Sequence, residues 1–384
     1  MIRFGPTDSP PQVWAVEDHE VQITWGRLPP GHITAKTEST ETTIEHVGGP
    51  GGMNVGGLQA DSAIEIALTW DGGGTTLHAR TMPTPPGELL ARFATISDLH
   101  LGAYRWGAFN TMIEKAHYEV AHPYRCASAA VEEALSWGAE MLIIKGDAAQ
   151  HETASDFAEL GRLVDEHRQL PMLLIPGNHD VDGEGHGAGS SIPLTVGERQ
   201  LPYTRSVDSF DLPGAKVIVA DTSIPMHGRG DLARTAPAIL DVAAASDRPV
   251  FIGLHHQLQA TRLPRYWPIG INVSEANRFL AKLNKMQRPV AVSSGHTHRN
   301  RSRLHGDVLV TEVGSTKDWP GVWAGYAVYE GGIRQVVRRI MRPDAIVWTE
   351  YSRGALNGLW AMWSPGPLDQ RCLSHPWVKD RSLV

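Results

Sequence analysis

The sequence of 384 residues predicts an α/β fold whose sheets are covered by helices on both faces, preceded by a small all-β sandwich. From residue 91 onward, short and nearly continuous apolar runs alternate with amphipathic helical patterns, as expected for strands that are buried on both faces. Before residue 88, short alternating runs are separated by glycine- and proline-rich turns, which is typical of antiparallel β-structure. The length also favours two domains over one.

The N-terminal region contains four segments with the period-two pattern of β-strands. The glycine-rich segment VGGPGGMNVGG at 47–57 is predicted to be a loop. TPPGE at 84–88 is predicted to be a linker, because adjacent prolines stiffen the chain. We therefore predict an N-terminal β-sandwich domain at residues 1–88. The four predicted strands are VQITW (21–25), ITAKTE (33–38), AIEIALTW (63–70) and TLHARTM (76–82).

Strands and helices alternate through the second region, which we predict to be one domain at residues 89–340. Its last part, 306–340, is predicted to be an antiparallel meander. Residues 341–384 are rich in tryptophan and proline without a clear period, and they form an unassigned C-terminal extension. The predicted strands are RFATIS (92–97), MLIIKGD (141–147), PMLLIPGNHD (171–180), KVIVADTS (216–223), PVFIGLHH (249–256), PVAVSSGHTH (289–298), DVLVTEVG (307–314), WAGYAVYE (323–330) and IRQVVRRI (333–340). The predicted helices cover about 110–120, 124–137, 155–168, 232–245 and 274–286.

Five of the apolar runs end in polar residues that a structural role does not require. In open α/β sheets, ligands bind just beyond the carboxyl ends of the strands, so these side chains are expected to converge at one rim. Glycines at 146, 177 and 295 precede three of the motifs, where the backbone must turn sharply or approach an ion closely. The residues at the strand ends are Asp98 and His100, Asp147, Asn178 with His179 and Asp180, His255 and His256, and His296 and His298.

The composition restricts the kind of site that these residues can form. Two cysteines, Cys126 and Cys372, can make neither a disulfide framework nor a thiolate zinc cluster. Eighteen histidines favour a metal site built from imidazole and carboxylate ligands. The formal net charge of −7 argues against non-specific binding of nucleic acid.

The motifs SDLHLG, GDAAQ, GNHD, LHH and SGHTH, in this order, closely resemble those of the calcineurin-like metallophosphoesterase superfamily, and the resemblance covers about residues 91–340. It implies a four-layer fold, in which a β-sandwich of two mixed sheets is flanked by helices. It also implies a dinuclear metal centre at the strand ends and a catalytic histidine, His179, that is not a metal ligand. The implied ligands of one ion are Asp98, His100, Asp147 and His298, and those of the other are Asp147, Asn178, His255 and His296, with Asp147 bridging the two.

The residue types suit hydrolysis of a phosphoester. Two ions about 3.5 to 4 Å apart can share a carboxylate and a hydroxide, and the bridging hydroxide can attack phosphorus in line with the leaving group. The ligand set admits Fe, Mn or Zn as divalent or trivalent ions. His179 is expected to hydrogen-bond a phosphoryl oxygen or to protonate the leaving alkoxide, and the alternative is that it only orients Asn178.

Departures from the family pattern narrow the activity. Many phosphatases of the family have an aspartate where Gln150 stands, and a neutral amide there is expected to orient His179. Purple acid phosphatases have a metal-ligating tyrosine at the position of Gln150 and a glycine at the position of His100. Their N-terminal fibronectin-like sandwich nevertheless loosely resembles residues 10–88. The DxH motif with Gln150 is closer to the cyclic-nucleotide and glycerophosphodiester phosphodiesterases. The proline common after HH in those enzymes is missing, since HHQL stands at 255–258.

Loops after the motifs carry further candidate residues. Arg262, Arg265, Tyr266 and Trp267 could either stack a base and neutralise a phosphate or anchor the loop. The insertion after SDLH brings Tyr104, Trp106 and His117 into the same neighbourhood, and His186 is expected to be exposed. RQVVRRIMR at 334–342 is expected to be a surface strand with protective charges.

The sequence thus predicts a binuclear metal-dependent enzyme that hydrolyses a small phosphodiester. The alternatives are a phosphomonoesterase, a DNA exonuclease, which the negative charge disfavours, and a non-catalytic scaffold, which the complete ligand set disfavours. The expected partner is a small phosphoester substrate, with no membrane and no nucleic acid, and the oligomeric state is left open. The absence of a leader and of a long apolar span predicts a cytoplasmic protein.

Overall fold

The computed structural model describes residues 9–107, 110–114, 118–181, 195–196, 199–204, 206–261, 267–286 and 288–377. The first seven strands form two antiparallel sheets, in the orders β1-β2-β5 and β4-β3-β6-β7. Apolar side chains from both sheets, among them Ile23, Trp25, Ile33 and Leu68, form a shared core. These strands are β1 (Gln12–Val16), β2 (Glu20–Leu28), β3 (Gly31–Lys36), β4 (Glu41–His46), β5 (Gly49–Gly56), β6 (Ala63–Trp70) and β7 (Gly73–Arg80).

The four strands predicted in this region are present, but the predicted loop at 47–57 is wrong, because most of it forms β5. The glycines of β5 serve packing. A Cβ on Gly51 would lie 3.0 Å from the indole nitrogen of Trp25, and one on Gly52 would lie 2.7 Å from the sulfur of Met341. Bulky neighbours therefore explain glycines that the sequence pattern assigned to a turn.

The second part of the chain contains two six-stranded mixed sheets, in the orders β12-β11-β8-β21-β22-β23 and β15-β16-β17-β18-β20-β19. Its strands are β8 (Leu89–Ile96), β9 (Arg105–Trp106), β10 (Met112–Ile113), β11 (Leu142–Lys145), β12 (Met172–Ile175), β13 (Thr195–Val196), β14 (Arg199–Gln200), β15 (Val207–Leu212), β16 (Ala215–Ala220), β17 (Val250–Gly253), β18 (Val290–Ser294), β19 (Arg301–His305), β20 (Val308–Glu312), β21 (Val322–Tyr329), β22 (Gly332–Arg339) and β23 (Cys372–Pro376). Its helices are α1 (His122–Ser136), α2 (Ala154–Glu166), α3 (Ala236–Ala245), α4 (Val273–Asn284), α5 (Pro343–Ser352), α6 (Leu359–Trp363) and α7 (Leu368–Arg371), with a 3-10 turn at Ala355–Gly358.

The two large sheets pack face to face. Phe93 in β8 contacts Phe251 in β17 and Tyr326 in β21, each with ring centroids 4.9 Å apart. Helices α1, α2 and α5 cover the outer face of the first sheet, and α3 and α4 cover that of the second. The predicted α/β fold with four layers is confirmed. No helix in the described part of the chain is both long and apolar enough to cross a bilayer.

Two local predictions in this part are wrong. The described residues of the possible helix at 110–120 contain no α-helix, and Met112–Ile113 instead pairs with Arg105–Trp106. The predicted meander at 306–340 is divided between the sheets: β20 pairs in parallel with β18, whereas β21 and β22 pair with each other in the first sheet. β20 also pairs with β19, through a tight turn at Gly306 with φ +60°.

The expectation of a surface strand at 334–342 is also wrong, because all residues of β22 are buried. Arg334 bonds to Glu17 and Asp18, and Arg338 bonds to Glu17 and Glu20. Burial of an arginine is tolerated when its charge is paired, so these ion pairs join the N-terminal sheets to the first large sheet.

The chain beyond residue 340 packs on the main body. β23 is the edge strand of the first large sheet and pairs with β22, while α5 packs on α1. The domain boundaries at 88 and 340 stay predictions, but the C-terminal residues share a sheet with the preceding region.

Candidate metal centre

All of the predicted metal ligands come together at one rim of the two large sheets. β8, β11 and β12 are parallel neighbours in the first sheet, and β17 and β18 are parallel neighbours in the second. Each of these strands ends two to four residues before its predicted ligands, so the carboxyl ends of both sheets deliver them to the same place.

One group of side chains contains Asp98, His100 and His298, whose ligand atoms lie within 4.8 Å of one another. The Nε2 atoms of His100 and His298 face each other at 3.4 Å. The Nε2 atom of His298 also lies 3.4 Å from Asp98 Oδ1. Two imidazoles and a carboxylate that point at one space provide donors for a divalent ion.

A second group lies beside the first and includes Asp147, Asn178, His255 and His296. His255 Nε2 lies 3.4 Å from Asp147 Oδ2 and 3.3 Å from Asn178 Oδ1. His296 packs against His255 with ring centroids 5.0 Å apart, and its buried Nε2 has no hydrogen-bond partner among the described residues. Asp147 Oδ2 also lies 3.7 Å from Nε2 of His100. The Asp147 carboxylate therefore lies between the two groups.

The backbone at this rim is held in an unusual conformation. Five of the ten non-glycine residues with positive φ in the described part are predicted ligands: Asp98 (55°), His100 (49°), Asp147 (49°), His296 (67°) and His298 (53°). Left-handed backbone costs roughly 1 kcal/mol or more for an L-residue. Strain that recurs at five converging residues points to a functional site.

Two glycines make room for this arrangement. Gly146 has φ +83°, and a Cβ there would lie 2.4 Å from the His255 ring. Gly295 lies against the first sheet, where a Cβ would lie 1.7 Å from the Ser97 hydroxyl. The rim can close only because both positions lack a side chain.

The buried charges affect one another strongly. Burial alone would raise the pKa of Asp147, but the neighbouring His255 and His179 hold it well below its usual range. Burial would lower the pKa of His255, but the Asp147 carboxylate raises it to about 9. Burial lowers the pKa of His296 to about 3, and His255 adds to the effect. A neutral imidazole such as that of His296 is the form that binds a metal.

His179 lies next to Asp147 and His100, and one ligand atom from each of the three lies within 4.8 Å of the others. Its ring packs against that of His100 at 4.7 Å, and its backbone N–H donates to Asp147 Oδ1. Its Nδ1 lies 3.0 Å from the main-chain carbonyl oxygen of Gln150. The sequence predicted orientation by the side-chain amide of Gln150, but this contact is to the backbone, which any residue at this position would supply.

A family model for calcineurin-like phosphoesterases matches residues 91–300. The chain belongs to this family. The phosphoesterase is 23% identical over 246 residues to a protein of Psychrobacter arcticus named "Probable cyclic nucleotide phosphodiesterase", covering 62% of this chain and 83% of that protein. Members of the family use divalent metal ions, and the groups of ligand atoms described above are candidate sites for them.

Solved structures similar to the phosphoesterase include a purple acid phosphatase from yellow lupin, with 12% identity and a TM-score of 0.45, covering 86% of this chain and 71% of that one. They also include a dimetal phosphatase from Danio rerio, with 13% identity and a TM-score of 0.48, covering 66% of this chain and 98% of that one.

Sequence reasoning missed Asp318. This residue is fully buried, and its Oδ2 accepts a 2.6 Å hydrogen bond from Nδ1 of His298. Its Oδ1 accepts a bond from the indole N–H of Trp360, at 3.3 Å. Burial would lower the pKa of His298, but the carboxylates of Asp318 and Asp98 raise it to about 10. Asp318 belongs to none of the motifs. The one signal for it in the sequence is a carboxylate directly before a tryptophan, Trp319, which is buried in the structure.

Asp180 is the last residue of the GNHD motif, and the sequence predicts no role for it. It is fully buried and accepts hydrogen bonds from the backbone N–H groups of Gly177, Ala148 and Ala149, at 2.8, 3.3 and 2.9 Å. Asp180 therefore ties the loop after β12 to the loop after β11.

His256 is a further buried histidine beside the second group. Its Nδ1 lies 2.9 Å from the hydroxyl of Thr222, and its ring packs 4.7 Å from that of His296. His255, His256 and His296 form one of the groups whose ligand atoms lie within 4.8 Å. The sequence therefore provides a third imidazole beside the four ligands predicted for the second ion.

A cleft of about 560 Å³ opens over the rim and is lined by His100, Asp147, Asn178, His179, His296 and His298. Of the other residues that the sequence placed near the site, Trp106 and Trp267 also line the cleft, and Tyr104 is exposed. The remaining five lie outside the described residues: Arg262, Arg265, Tyr266, His117 and His186. The C-terminal part of the chain also contributes to the lining, through Ala355, Leu356 and Trp360. A separate cavity of about 500 Å³, between the N-terminal sheets and β22, is lined by none of the predicted ligands.

Proposed function

We propose that the chain is a binuclear metal-dependent phosphodiesterase that hydrolyses a small phosphodiester. The observation that carries the proposal is the position of Asp147, whose Oδ2 lies 3.7 Å from Nε2 of His100 and 3.4 Å from Nε2 of His255. A carboxylate shared by two groups of donors suits two neighbouring ions.

The donors fit divalent ions. Nε2 of His296 is buried without a hydrogen-bond partner among the described residues, which is costly unless another group satisfies it. We assign Asp98, His100, Asp147 and His298 to one ion, and Asp147, Asn178, His255 and His296 to the other. Imidazole, carboxylate and amide ligands suit Fe, Mn or Zn. When bound, such ions supply a nucleophile at neutral pH and neutralise charge at phosphorus.

The protein groups have separate tasks. His255 donates from Nδ1 to the carbonyl oxygen of Lys145, at 2.7 Å, and therefore directs Nε2 at the site. His298 donates from Nδ1 to the Asp318 carboxylate, and its Nε2 is likewise directed at the site. Such hydrogen bonds fix the tautomer and the ring orientation of a ligand.

His179 is the protein group proposed to assist departure of the leaving group. The Gln150 carbonyl oxygen engages Nδ1, so Nε2 is the nitrogen that can approach substrate. His179 lines the cleft beside Asn178. From there it can hydrogen-bond a phosphoryl oxygen or give a proton to the leaving alkoxide.

The preference for a diester is supported by the walls of the cleft. A diester carries a second organic group that needs a place to bind, and the apolar wall of Trp106, Leu356 and Trp360 provides one beside the metal groups. The relative from Psychrobacter arcticus is also named as a phosphodiesterase.

Hydrolysis of bis-p-nitrophenyl phosphate and of p-nitrophenyl phosphate by protein loaded with Mn²⁺ tests the proposal. We expect a higher kcat/KM for the diester and two metal ions per chain by elemental analysis. Asp147→Asn should abolish turnover with little change in Tm, whereas Asp247→Asn, at a side chain that is 94% exposed, should change neither. A preference for the monoester would refute the diester assignment, and inactivity on both would refute the enzymatic proposal for ordinary phosphoesters. Degradation of DNA at low salt would instead indicate a nuclease.

A further inference from the structure

Lys317 is a lysine that lines the cleft over the rim although it is only 3% exposed. Within the described part of the chain, its ammonium group has no hydrogen-bond or ion-pair partner. The ammonium of Lys145, which is also buried, instead donates to Ser293 Oγ at 2.9 Å and to the carbonyl oxygen of Ser294 at 2.8 Å. A buried charge without a partner is costly, so Lys317 calls for a partner from outside the chain.

The loop that carries Lys317 is attached to the metal groups. The Ser315 hydroxyl donates to the main-chain carbonyl oxygen of Asp98, at 2.8 Å, and accepts from the backbone N–H of Lys317, at 3.0 Å. The carbonyl oxygen of Lys317 accepts from the indole N–H of Trp348, at 2.6 Å. The residue that follows accepts the 2.6 Å hydrogen bond from Nδ1 of His298. The backbone of Lys317 is therefore held on both sides, at a fixed position relative to two proposed ligands of one ion.

The charges around Lys317 keep its side chain protonated at neutral pH. Burial lowers the pKa of Lys317 to about 8, and the carboxylates of Asp318, Asp98 and Asp147 oppose this fall. The positive charge in turn helps burial to lower the pKa of His100. Asp98 and Asp147 are also proposed metal ligands, so in the loaded protein they share their negative charge with the ions. The ammonium then needs another anion, and the cleft that it lines can admit one.

We propose that Lys317 binds the phosphoryl group of the substrate, with its ammonium donating to a phosphoryl oxygen that is not esterified. The inference rests on the proposed function and adds to it a substrate-binding residue that lies outside the five motifs. Lysine binds phosphate as a point charge, and a hydrogen bond between charged groups is roughly twice as strong as one between neutral groups. A cation that the fold holds in place at the reacting group also stabilises negative charge in the transition state.

Binding of inorganic phosphate tests this contact without any turnover. Isothermal titration calorimetry of the Mn²⁺-loaded protein gives the Kd for phosphate. Lys317→Met nearly keeps the size of the side chain and removes its charge, so we expect Kd to rise about 10-fold or more. Lys282→Met is the control, because Lys282 lies on α4 and is exposed, and it should leave Kd unchanged.

The kinetics of diester hydrolysis provide a second measure. We expect Lys317→Met to lower kcat/KM for bis-p-nitrophenyl phosphate by about 100-fold, as is typical when one donor to a charged oxygen at the reacting group is lost. Lys317→Ala should be similarly slow, and ethylammonium added to the assay should restore part of its rate, because this small cation can occupy the vacated space. Elemental analysis should find as many metal ions in both variants as in the unsubstituted protein, since removal of a positive charge does not weaken the binding of cations.

The outcomes separate this inference from the proposed function. If Lys317→Met retains its metal ions, its phosphate Kd and its kcat/KM, the inference is wrong and the proposed function stands. Joint loss of metal ions and activity also overturns the inference, because Lys317 would then support the metal groups instead of substrate. Failure of ethylammonium to accelerate Lys317→Ala counts against it as well. Inactivity of the unsubstituted protein toward every phosphoester refutes the proposed function, whereas weaker phosphate binding by Lys317→Met would still support the contact.

Discussion

Replacement of Asp318 by asparagine tests whether the loop after β20 is part of the metal centre. Asp318 is fully buried, and its Oδ2 accepts a hydrogen bond from His298 Nδ1, with the two atoms 2.6 Å apart. The substitution keeps the size of the side chain and removes the charge. A partner of this kind orients a metal-ligating histidine and increases its basicity, so its loss should weaken metal binding.

The expected magnitude follows from this geometry. Loss of such a partner weakens metal binding by roughly 10- to 100-fold, which corresponds to about 1.4 to 2.7 kcal/mol. The upper part of this range is expected for Asp318, because a short bond to a charged acceptor is stronger than one to a neutral acceptor. Trp360→Phe removes one donor to the same carboxylate, at 3.3 Å, and should have a smaller effect in the same direction.

Titration of the metal-free protein with Co²⁺, followed by absorption, measures both affinity and ligand geometry. We expect Asp318→Asn to weaken the binding of one ion and to alter its visible spectrum. Trp363→Phe is the matched control for Trp360→Phe, because Trp363 packs under the guanidinium of Arg299. Unchanged affinity and spectrum in folded Asp318→Asn would refute the positioning role of Asp318.

Three further substitutions test the interior of the protein. Burial raises the pKa of Glu133 to about 7. As pH rises from 4.5 to 7, the folded protein therefore retains a proton that the unfolded chain releases. The free energy of unfolding should fall by about 3 kcal/mol over this range. Glu133→Gln should remove this slope in urea unfolding at pH 5 and pH 8, and an unchanged slope would contradict the assignment. Arg338→Met removes one charged partner of buried Glu17 and should lower the free energy of unfolding, measured by the same assay, by about 3 to 5 kcal/mol. Arg162→Met, which breaks an exposed ion pair, should lower it by under about 1 kcal/mol. Gly146→Ala should abolish metal binding, measured by elemental analysis, because its Cβ would overlap a ligand histidine; retention of two ions would show that the rim can relax.

The convergence of the proposed ligands was predictable because each motif ends a strand. Asp98, Asp147 and His255 are adjacent in space through β-pairing and the packing of two sheets, and both follow from short apolar runs that alternate with helices. The pattern placed the motifs at strand ends without any knowledge of which strands pair. The resemblance then assigned each residue to an ion, and those assignments stay proposals.

The contacts that support the site were not predictable from local pattern. Asp318 lies 20 residues after His298, and Trp360 reaches it from 42 residues further along. The carboxylate partners of Arg334 and Arg338 lie more than 300 residues away, so the charges of β22 suggested an exposed strand. Local periodicity reports which face of a strand is polar, but it does not report a distant carboxylate that neutralises the charge.

The tryptophans of the C-terminal residues explain why these residues pack against the metal centre. Trp348 in α5 donates to the carbonyl oxygen of Lys317 at 2.6 Å, and Trp360 donates to Asp318 and to the carbonyl oxygen of Trp319. An indole fills a large volume and has a single donor, so it can fix a buried loop without bringing an unpaired acceptor with it. The same Trp360 also packs against Trp106 in the cleft. One side chain thus connects the orientation of His298 with the apolar wall, and a change in either is expected to affect the other.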